Sequence, residues 1–181
     1  MTPTETLKHE HKIVELVLQG TEREALAIRN GGEVHAETIE EMTDFFKNFV
    51  DRCHHAKEER HLFPALGSKG FPAETGPVAV MLYEHEQGRA AIRAITESLP
   101  GARNGDRRAA AALADALLEY VELLRNHIFK ENNVLFPMAD RLLAADEQAT
   151  LAAQFDQVEA EEIGEGVHER YHELAHRLAG V

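Results

Sequence analysis

The sequence predicts an all-α protein, an antiparallel up-down-up-down four-helix bundle with an additional C-terminal helix. Three observations predict this fold. Apolar residues recur at spacings of three and four, which is the period of an amphipathic helix. Glycine and proline cluster at a few points and divide the chain into long segments. No segment shows the alternation of apolar and polar residues that is typical of a half-buried strand.

Five helical segments are expected in order along the chain. The first begins at a cap formed by Thr4 or Thr6 and runs to about Asn30, where two glycines end it. The others are expected over about residues 33–66, 77–99, 106–143 and 146–179, the last broken near Gly164 and Gly166. The bundle therefore covers about residues 4–143, and the extra helical segment covers about 146–179 of a single domain, 1–181.

Composition and charge exclude several classes of protein. The chain has 181 residues, of which 44% are hydrophobic and 28% charged, as expected of a soluble globular domain. A formal net charge of −13 disfavours nucleic-acid binding. No apolar run is long enough to span a membrane, and MTPTETLKHEHK lacks the apolar region of a signal peptide. The single cysteine, Cys53, is expected to be buried rather than to be a redox sensor, and we expect a cytoplasmic protein with no membrane partner.

Two of the long helices carry the same phrase. Residues 54–67 read HHAKEERHLFPALG, and residues 127–140 read HIFKENNVLFPMAD. At an offset of 73, the residues that recur are Arg52/Arg125, His54/His127, Lys57/Lys130, Glu58/Glu131, Leu62/Leu135, Phe63/Phe136 and Pro64/Pro137. At an offset of 74, Glu10-His11 recurs as Glu84-His85. The chain therefore consists of two similar helical hairpins, and packing them face to face would bring equivalent residues together.

The repeated polar residues interrupt apolar, core-facing stripes. Residues four apart lie on one face of a helix, and Val50, His54, Glu58 and Leu62 form such a stripe. The other three helices are interrupted in the same way. The six polar groups on these stripes are His11, His54, Glu58, His85, His127 and Glu131.

Buried polar groups must be paired, and two arrangements satisfy these six. One is a hydrogen-bonded network without an ion. The other is a metal centre, which offsets the desolvation of all six at once and which we therefore prefer. Imidazole and carboxylate ligands without thiolate suit iron, zinc or manganese. Six ligands suit two ions bridged by Glu58 and Glu131, so we expect two iron ions with an oxo or hydroxo bridge, zinc or manganese being possible substitutes.

These motifs resemble those of a known family. The segments EHK, HHAKEERHLFP, EHEQGR and HIFKENNVLFP are similar to the hemerythrin-like, or HHE cation-binding, domain over roughly residues 7–140. The resemblance implies a non-haem di-iron centre with the same six ligands in a four-helix bundle. It also implies a protein that binds dioxygen, senses oxygen or iron, or handles peroxide and nitric oxide.

Two departures from the family pattern concern the centre. Oxygen-carrying hemerythrins have a second histidine four residues after that of the third helix, and Arg89 stands at that position here. They also have an aspartate five residues after the histidine of the fourth helix, whereas Glu131 follows His127 by four. Either one iron is left more open, or Arg89 directs a cation at bound anionic oxygen species. Arg89 is therefore a candidate catalytic residue, and redox chemistry or sensing is favoured over oxygen transport.

Three further residues are possible additional ligands. His55 lies about 100° round the helix from His54, where a histidine at the boundary of the core, bonded to a neighbour, is the simpler expectation. Glu15, the repeat partner of Arg89, could instead form an ion pair with it, or the two residues could have independent roles at the surface. Glu162 continues an apolar stripe of the last segment and could cover the centre or complete its coordination.

Other charged and histidine residues are expected to face solvent. Lys57 and Glu59 are expected on a solvated helix face with intrahelical pairs. His168, His172 and His176 are four apart and could form a second metal site, but they flank the apolar stripe of their helix, so a solvated edge is expected.

The resulting hypothesis is a di-iron protein that binds and reacts with or senses O2, H2O2 or NO. If it is an enzyme, it is an oxidoreductase acting on peroxide or nitric oxide. The alternatives are an iron-sensing or iron-storing module without turnover, and a metal-free or zinc-filled structural bundle.

Overall fold

A computed structural model describes residues 1–164 and 167–180, except the side chain of His168. The described chain is helical throughout and contains no β-strand, which confirms the predicted all-α class. Among these residues, no helix combines the length and the apolar character that crossing a bilayer would require.

The helices follow the five segments expected from the sequence. The first is α1, Pro3–Arg29. The second stretch comprises α2 (Ala36–Phe45), the π-helical segments π1 (Phe46–His55) and π2 (Glu58–Leu62), and α3 (Phe63–Ser68). The third is α4, Gly76–Arg103. The fourth stretch comprises α5 (Arg107–Lys130), the π-helical segment π3 (Glu131–Leu135) and α6 (Phe136–Leu142). The last helices are α7 (Ala145–Glu162) and α8 (Val167–Ala179).

The first helix begins earlier than expected. Thr2 is its N-cap: the Thr2 hydroxyl accepts a hydrogen bond from the backbone N–H of Glu5, and the Glu5 carboxylate accepts one from the backbone N–H of Thr2. This capping box satisfies two of the free donors at the helix start. The expected cap Thr4 is instead buried and donates to Asp140 Oδ1 at 2.6 Å.

The end of α4 also differs from the expectation. The helix continues through Pro100 to Arg103 instead of ending near Leu99. The final turn packs closely on the start of α5, because a Cβ placed on Gly101 would lie 2.8 Å from Ala109 Cβ. Contact with α5 therefore extends α4 past Pro100, although proline ordinarily disfavours the interior of a helix.

The break in the last segment is confirmed at Gly164. This residue has a φ of +84°, which favours glycine and ends α7 two residues earlier. Gly166 lies outside the described residues.

Packing places the repeated phrases between two apolar clusters. Helix α4 lies along α5, α1 contacts α5 and α8, and the second stretch contacts α4 and α7. One cluster contains Phe45, Phe46, Phe49, Val17 and Leu117, and the other contains Leu7, Leu62, Phe63, Leu135 and Phe136. Along each of the four long stretches, the polar residues of the repeat lie between members of these clusters.

The π-helical segments coincide with the polar residues. Their i→i+5 hydrogen bonds align residues about five apart, and such segments are frequent at functional sites. Five-residue steps connect Val50 to His55 and Cys53 to Glu58, all of which are buried. The segments π2 and π3 begin at Glu58 and Glu131, at the same offset of 73 as the sequence repeat, so the backbone repeats as well.

Candidate metal centre

Seven buried side chains form two adjoining groups. The nitrogen or oxygen atoms of each group lie within 4.8 Å of one another. One group, the two-histidine position, contains His11, His54, Glu58 and Glu131; the other, the three-histidine position, contains His55, His85, His127 and Glu58. None of the seven is more than 5% exposed. The structure therefore brings together all six residues on the core-facing stripes, and adds His55.

The histidines meet in pairs through their Nε2 atoms. His11 Nε2 lies 3.0 Å from His54 Nε2, and His85 Nε2 lies 3.2 Å from His127 Nε2. Two rings that both turn Nε2 lone pairs toward each other repel, so each pair is stabilised either by a proton on one Nε2 or by a metal ion between them. With metal–nitrogen distances of about 2.1 Å, two neighbouring ligands of one octahedral ion lie about 3.0 Å apart. The observed separations fit two ligands of one ion.

Each glutamate extends across both histidine pairs. Glu131 Oε1 lies 3.2 Å from His127 Nε2, and its Oε2 lies 3.2 Å from His11 Nε2. Glu58 Oε1 lies 3.7 Å from His54 Nε2, and its Oε2 lies 3.4 Å from His85 Nε2. A carboxylate with one oxygen toward each position is arranged to bridge two ions.

The carboxylate oxygens are buried without hydrogen-bond partners. All four oxygens of Glu58 and Glu131, together with His55 Nε2, are the buried side-chain polar atoms of the described chain that no donor or acceptor satisfies. Each unsatisfied buried polar group costs about 1–3 kcal/mol, and more if charged. Protons on His11 and His127 could be donated to Glu131 but would leave Glu58 and His55 Nε2 unpaired, whereas metal ions would engage all five atoms. The donor set therefore fits a metal centre.

The outer face of every histidine is held by an acceptor. The Nδ1–acceptor contacts are His11–Asn132 Oδ1 at 2.9 Å, His54–Glu10 Oε2 at 2.7 Å, His55–Asp51 Oδ1 at 3.4 Å, His85–Glu59 Oε1 at 2.7 Å and His127–Glu84 Oε2 at 2.9 Å. An Nδ1–H that donates outward leaves Nε2 free to bind inward. Such partners fix the tautomer and orientation of metal-binding histidines.

Burial governs the ionisation of the inner groups. Burial lowers the pKa of His54 to about 4 and lowers the pKa of His55 well below its usual value, so both rings are neutral at pH 7. Burial and the adjacent charge of Glu131 raise the pKa of Glu58 well above that of an ordinary glutamate. Burial opposes the ionisation of Glu131 too, but the charge of His127 outweighs it and lowers the pKa of Glu131. Two carboxyl groups this close do not ionise independently.

His55 lies inside the core and not at its boundary. Its ring stacks on that of His85, with centroids 3.7 Å apart and planes 14° apart. It does bond a neighbour, Asp51, as expected, yet its Nε2 faces the three-histidine position. The expectation of a boundary residue assumed α-helical geometry, whereas π1 turns His54 and His55 both inward.

The other three sequence candidates lie outside both groups. Arg89 contacts three carboxylates, those of Asp51, Glu59 and Glu86, and does not pair with Glu15. Glu15 pairs with Arg125 at 2.9 Å, so the suggested Glu15–Arg89 ion pair is wrong.

Glu162 is likewise directed away from the centre. Its carboxylate contacts Arg60 at 2.8 Å and Arg52 at 3.4 Å. A different residue of α7, Glu159, contacts Lys57, with its Oε2 3.2 Å from Lys57 Nζ.

The expectation of a solvated face was wrong for Lys57. Its side chain is completely buried and donates to Glu10, the acceptor for His54. The matching residue Lys130 donates to Glu84, the acceptor for His127. Burial alone lowers the pKa of Lys57, but the charge of Glu10 outweighs it and raises that pKa. Burial alone raises the pKa of Glu10, and the hydrogen bond from His54 and the charge of Lys57 lower it to about 2.

These Lys–Glu–His chains were missed although the sequence carries their signal. Lys57/Lys130 and Glu10/Glu84 recur at the same offsets as the histidines they support. Glu59 is only partly exposed and accepts from His85, so it too belongs to the surroundings of the centre. Its repeat partner is Asn132, and this change of residue type hid the match.

The histidines of α8 form no metal group among the described side chains. His176 is exposed, and His172 is partly buried and stacks on His9 with ring centroids 5.7 Å apart. The part of this prediction that concerns His168 lies outside the described side chains.

A cavity of about 260 Å³ leads to the three-histidine position. Its lining combines apolar residues, including Phe46, Ile92 and Gly88 of α4, with charged ones, including Asp51 and Arg89. The side chains of His55, His85 and His127 also line the cavity. A small molecule in this cavity would contact the histidines of one position only.

Comparisons with known proteins find relatives that match most of this chain. Uncharacterised proteins of Mycobacterium tuberculosis and Mycobacterium bovis are each 24% identical over 165 residues, which are 91% of this chain and 64% of the relative. The iron-sulfur cluster repair protein YtfE of Pectobacterium carotovorum is 28% identical over 136 residues, 74% of this chain and 60% of the relative. The chain thus spans less than two thirds of the length of these curated relatives.

No solved structure matches the chain. A family model described as the hemerythrin HHE cation binding domain matches residues 2–139, which is most of the chain and includes every member of the two groups. The resemblance noted in the sequence is therefore confirmed, and the chain belongs to the hemerythrin HHE cation-binding domain family.

Proposed function

We propose that this protein holds two iron ions and reacts with or senses dioxygen, hydrogen peroxide or nitric oxide. Family membership, the histidine and carboxylate groups, and the similarity to iron-sulfur cluster repair proteins support a non-haem iron-binding protein. The pairing of the two groups through shared glutamates supports two ions rather than one. We propose further that the four long helical stretches form an up-down-up-down bundle around them.

One observation carries the proposal. Five buried polar atoms, the four oxygens of Glu58 and Glu131 and the Nε2 of His55, have no hydrogen-bond partner and face two histidine pairs. A bare hydrogen-bonded network would leave this cost uncompensated. Two ions, one held at each position and the second taking His55 as well, would engage all of these atoms.

The residues around the centre have separable roles. Glu58 and Glu131 would bridge the ions, and His11 and His54 would hold one while His85, His127 and His55 hold the other. The outer acceptors would hold the Nδ1–H of each ring and so direct its Nε2 inward. The apolar clusters on either side exclude water. Iron bound there would supply one-electron redox chemistry toward the small molecule.

Counting metal ions tests the proposal. Metal-free protein loaded anaerobically with Fe2+ and then desalted is expected to retain two iron ions per chain and, after exposure to air, to show near-ultraviolet charge-transfer bands. Two variants, Glu58→Gln and Glu131→Gln, each remove the charge of one bridging carboxylate but keep the shape of the side chain. Each variant is expected to lose one or both ions. Glu122→Gln on the exposed face of α5 is the matched control and should retain two. Retention of no iron by the wild-type protein would refute the proposal.

Turnover assays then separate reaction from sensing. Iron-loaded protein that consumes many equivalents of peroxide or nitric oxide per chain is an enzyme. One observation favours an iron-sensing module instead: Lys57 joins Glu10, which holds His54, to Glu159 of α7. In that case iron is expected to slow amide hydrogen exchange in α7, without turnover of either substrate. Unchanged exchange in α7 would contradict the sensing alternative.

A further inference from the structure

Arg89 links the second helical stretch to α4 beside the three-histidine position. Its Nε lies 2.9 Å from Asp51 Oδ1, its Nη2 lies 2.7 Å from Glu59 Oε1, and its Nη1 lies 2.6 Å from Glu86 Oε1. A guanidinium group has the planar array of donors needed to hold several carboxylates at once. Asp51 and Glu59 belong to the second stretch, so the arginine fixes their positions relative to α4.

Two of these carboxylates each hold a histidine. The oxygen of Asp51 that contacts Arg89 is also the acceptor for His55 Nδ1, and the oxygen of Glu59 that contacts Arg89 is the acceptor for His85 Nδ1. The two rings stack on each other, so turning one displaces the other. One arginine therefore determines how two nitrogen donors point into the same position.

We propose that Arg89 is a positioning residue for the three-histidine position, and that it makes this position bind its ion more tightly than the two-histidine position. The proposal rests on the proposed function, because it requires that both positions take metal. It also gives Arg89 a role that the sequence did not suggest, in which it acts on the rings through Asp51 and Glu59.

The other half of the repeat has a different set of residues. The repeat partner of Arg89 is Glu15, that of His55 is Ile128, and that of Glu59 is Asn132. Glu15 contacts Arg125 and not one of the acceptors that hold the histidines. At the two-histidine position, an amide instead of a carboxylate holds His11. A neutral acceptor raises the basicity of a ring less than a carboxylate does, and the position has two imidazoles and two carboxylates where the other has three imidazoles and one carboxylate.

The competing explanation is an ordinary surface ion-pair cluster. Such pairs contribute little to stability and would not affect metal binding. The chain offers a matched control for this explanation in Arg125. Arg125 is 32% exposed against 27% for Arg89, and it also contacts two carboxylates, those of Glu15 and Glu22 at 2.9 Å, neither of which holds a histidine.

The experiment is a stepwise anaerobic Co2+ titration of the metal-free full-length protein, followed by visible spectra and by competition with a chelator. The wild-type protein is expected to bind two ions with distinct dissociation constants. Arg89→Gln is expected to raise the dissociation constant of the tighter step about 10- to 100-fold, the usual effect of losing an outer partner, and to change the spectrum of that step. Arg125→Gln is expected to change neither step. Thermal unfolding of each metal-free variant separates these effects from a loss of folding.

Two further variants keep the test decisive. Arg89→Lys keeps the charge without the planar fork and is expected to give an intermediate loss in the same step. Asp51→Asn, which weakens the contacts with His55 and Arg89 but leaves the contact between Glu59 and His85 in place, is expected to weaken that step as well. Two ions bound with wild-type affinities in Arg89→Gln and Asp51→Asn, or both steps weakened equally, would overturn the role of Arg89. A wild-type protein that binds no ion would instead refute the proposed function.

Discussion

Glu59 and Asn132 occupy matching positions in the two hairpins, and each holds a histidine of the opposite hairpin. Glu59 Oε1 lies 2.7 Å from His85 Nδ1, and Asn132 Oδ1 lies 2.9 Å from His11 Nδ1. Each hairpin therefore orients a donor that the other hairpin supplies, so the centre can be assembled correctly only when both hairpins are packed. The repeat is symmetric in geometry but not in charge, because one acceptor is a carboxylate and the other an amide.

Asn132→Ala is expected to weaken metal binding at the two-histidine position. Removing the acceptor frees the His11 ring to rotate and to protonate Nε2, so the affinity for one of the two ions should fall about 10- to 100-fold. Chelator competition on the metal-free protein measures this change. Asn133→Ala is the control, since Asn133 is exposed and bonds only the carbonyl of Phe129 in its own helix. Equal affinities in the two variants would show that His11 does not depend on Asn132.

Lys57→Met is expected to destabilise the metal-free protein far more than Lys130→Met. Lys57 is fully buried, and its loss leaves Glu10 buried without its cation, a change that typically costs about 3–5 kcal/mol. Lys130 occupies the matching place beside Glu84 but is 37% exposed, so water replaces much of its contribution. Urea unfolding of both variants gives the difference. Similar free energies of unfolding in the two variants would mean that the burial of Lys57 does not make its contact with Glu10 more important than that of Lys130 with Glu84.

The sequence predicted the six residues on the core-facing stripes because their spacing along the chain is periodic. Four-residue spacing placed His54 on the same face as Glu58, and the repeat at 73 and 74 residues supplied the partners across the bundle. All six of these side chains are in the two groups. Whether they ligate metal stays a prediction, which the metal count above tests.

The sequence did not predict how far the second stretch departs from an α-helix. The π1 and π2 segments change the alignment of the side chains, which buries Lys57 and turns His55 inward, contrary to a 3.6-residue period. Glu162 fails as a candidate for another reason. Tertiary packing directs it to Arg52 and Arg60, and periodicity alone cannot place one helix against another.

Gly20→Ala is expected to displace α8 from α1. A Cβ at Gly20 would lie 2.6 Å from the backbone oxygen of Leu178, so the helices must separate, at a cost of about 1–3 kcal/mol. Faster amide hydrogen exchange in α8 is the measurement. Gly67→Ala is the control, because no atom lies within 4 Å of a Cβ there and alanine favours the helix. Protection of α8 that survives in Gly20→Ala would show that the close contact is not needed for docking.

Cys53 is expected to be unreactive in the native protein. The thiol is buried, and burial raises its pKa to about 12, so hardly any thiolate is present at pH 8. A colorimetric disulfide reagent should label no thiol per chain in native protein and one after denaturation. Rapid labelling of the native protein would contradict the burial of Cys53 and revive the redox-sensor reading that the sequence disfavoured.

Gly88→Leu is expected to slow the access of small molecules to the three-histidine position. A Cβ at Gly88 lies 3.6 Å from Tyr120 Cε2 and 4.0 Å from Leu123 Cδ2, in ordinary contact, so alanine is accommodated while a leucine side chain extends into the cavity of about 260 Å³. The second-order rate constant for nitric oxide binding to iron-loaded protein should fall about tenfold or more in Gly88→Leu and change little in Gly88→Ala, following the volume that each side chain occupies. Iron content is measured in parallel, because a variant that loses metal would mimic slow entry. Wild-type rates in a fully loaded Gly88→Leu would mean that small molecules reach the centre by another route, most directly through the two-histidine position.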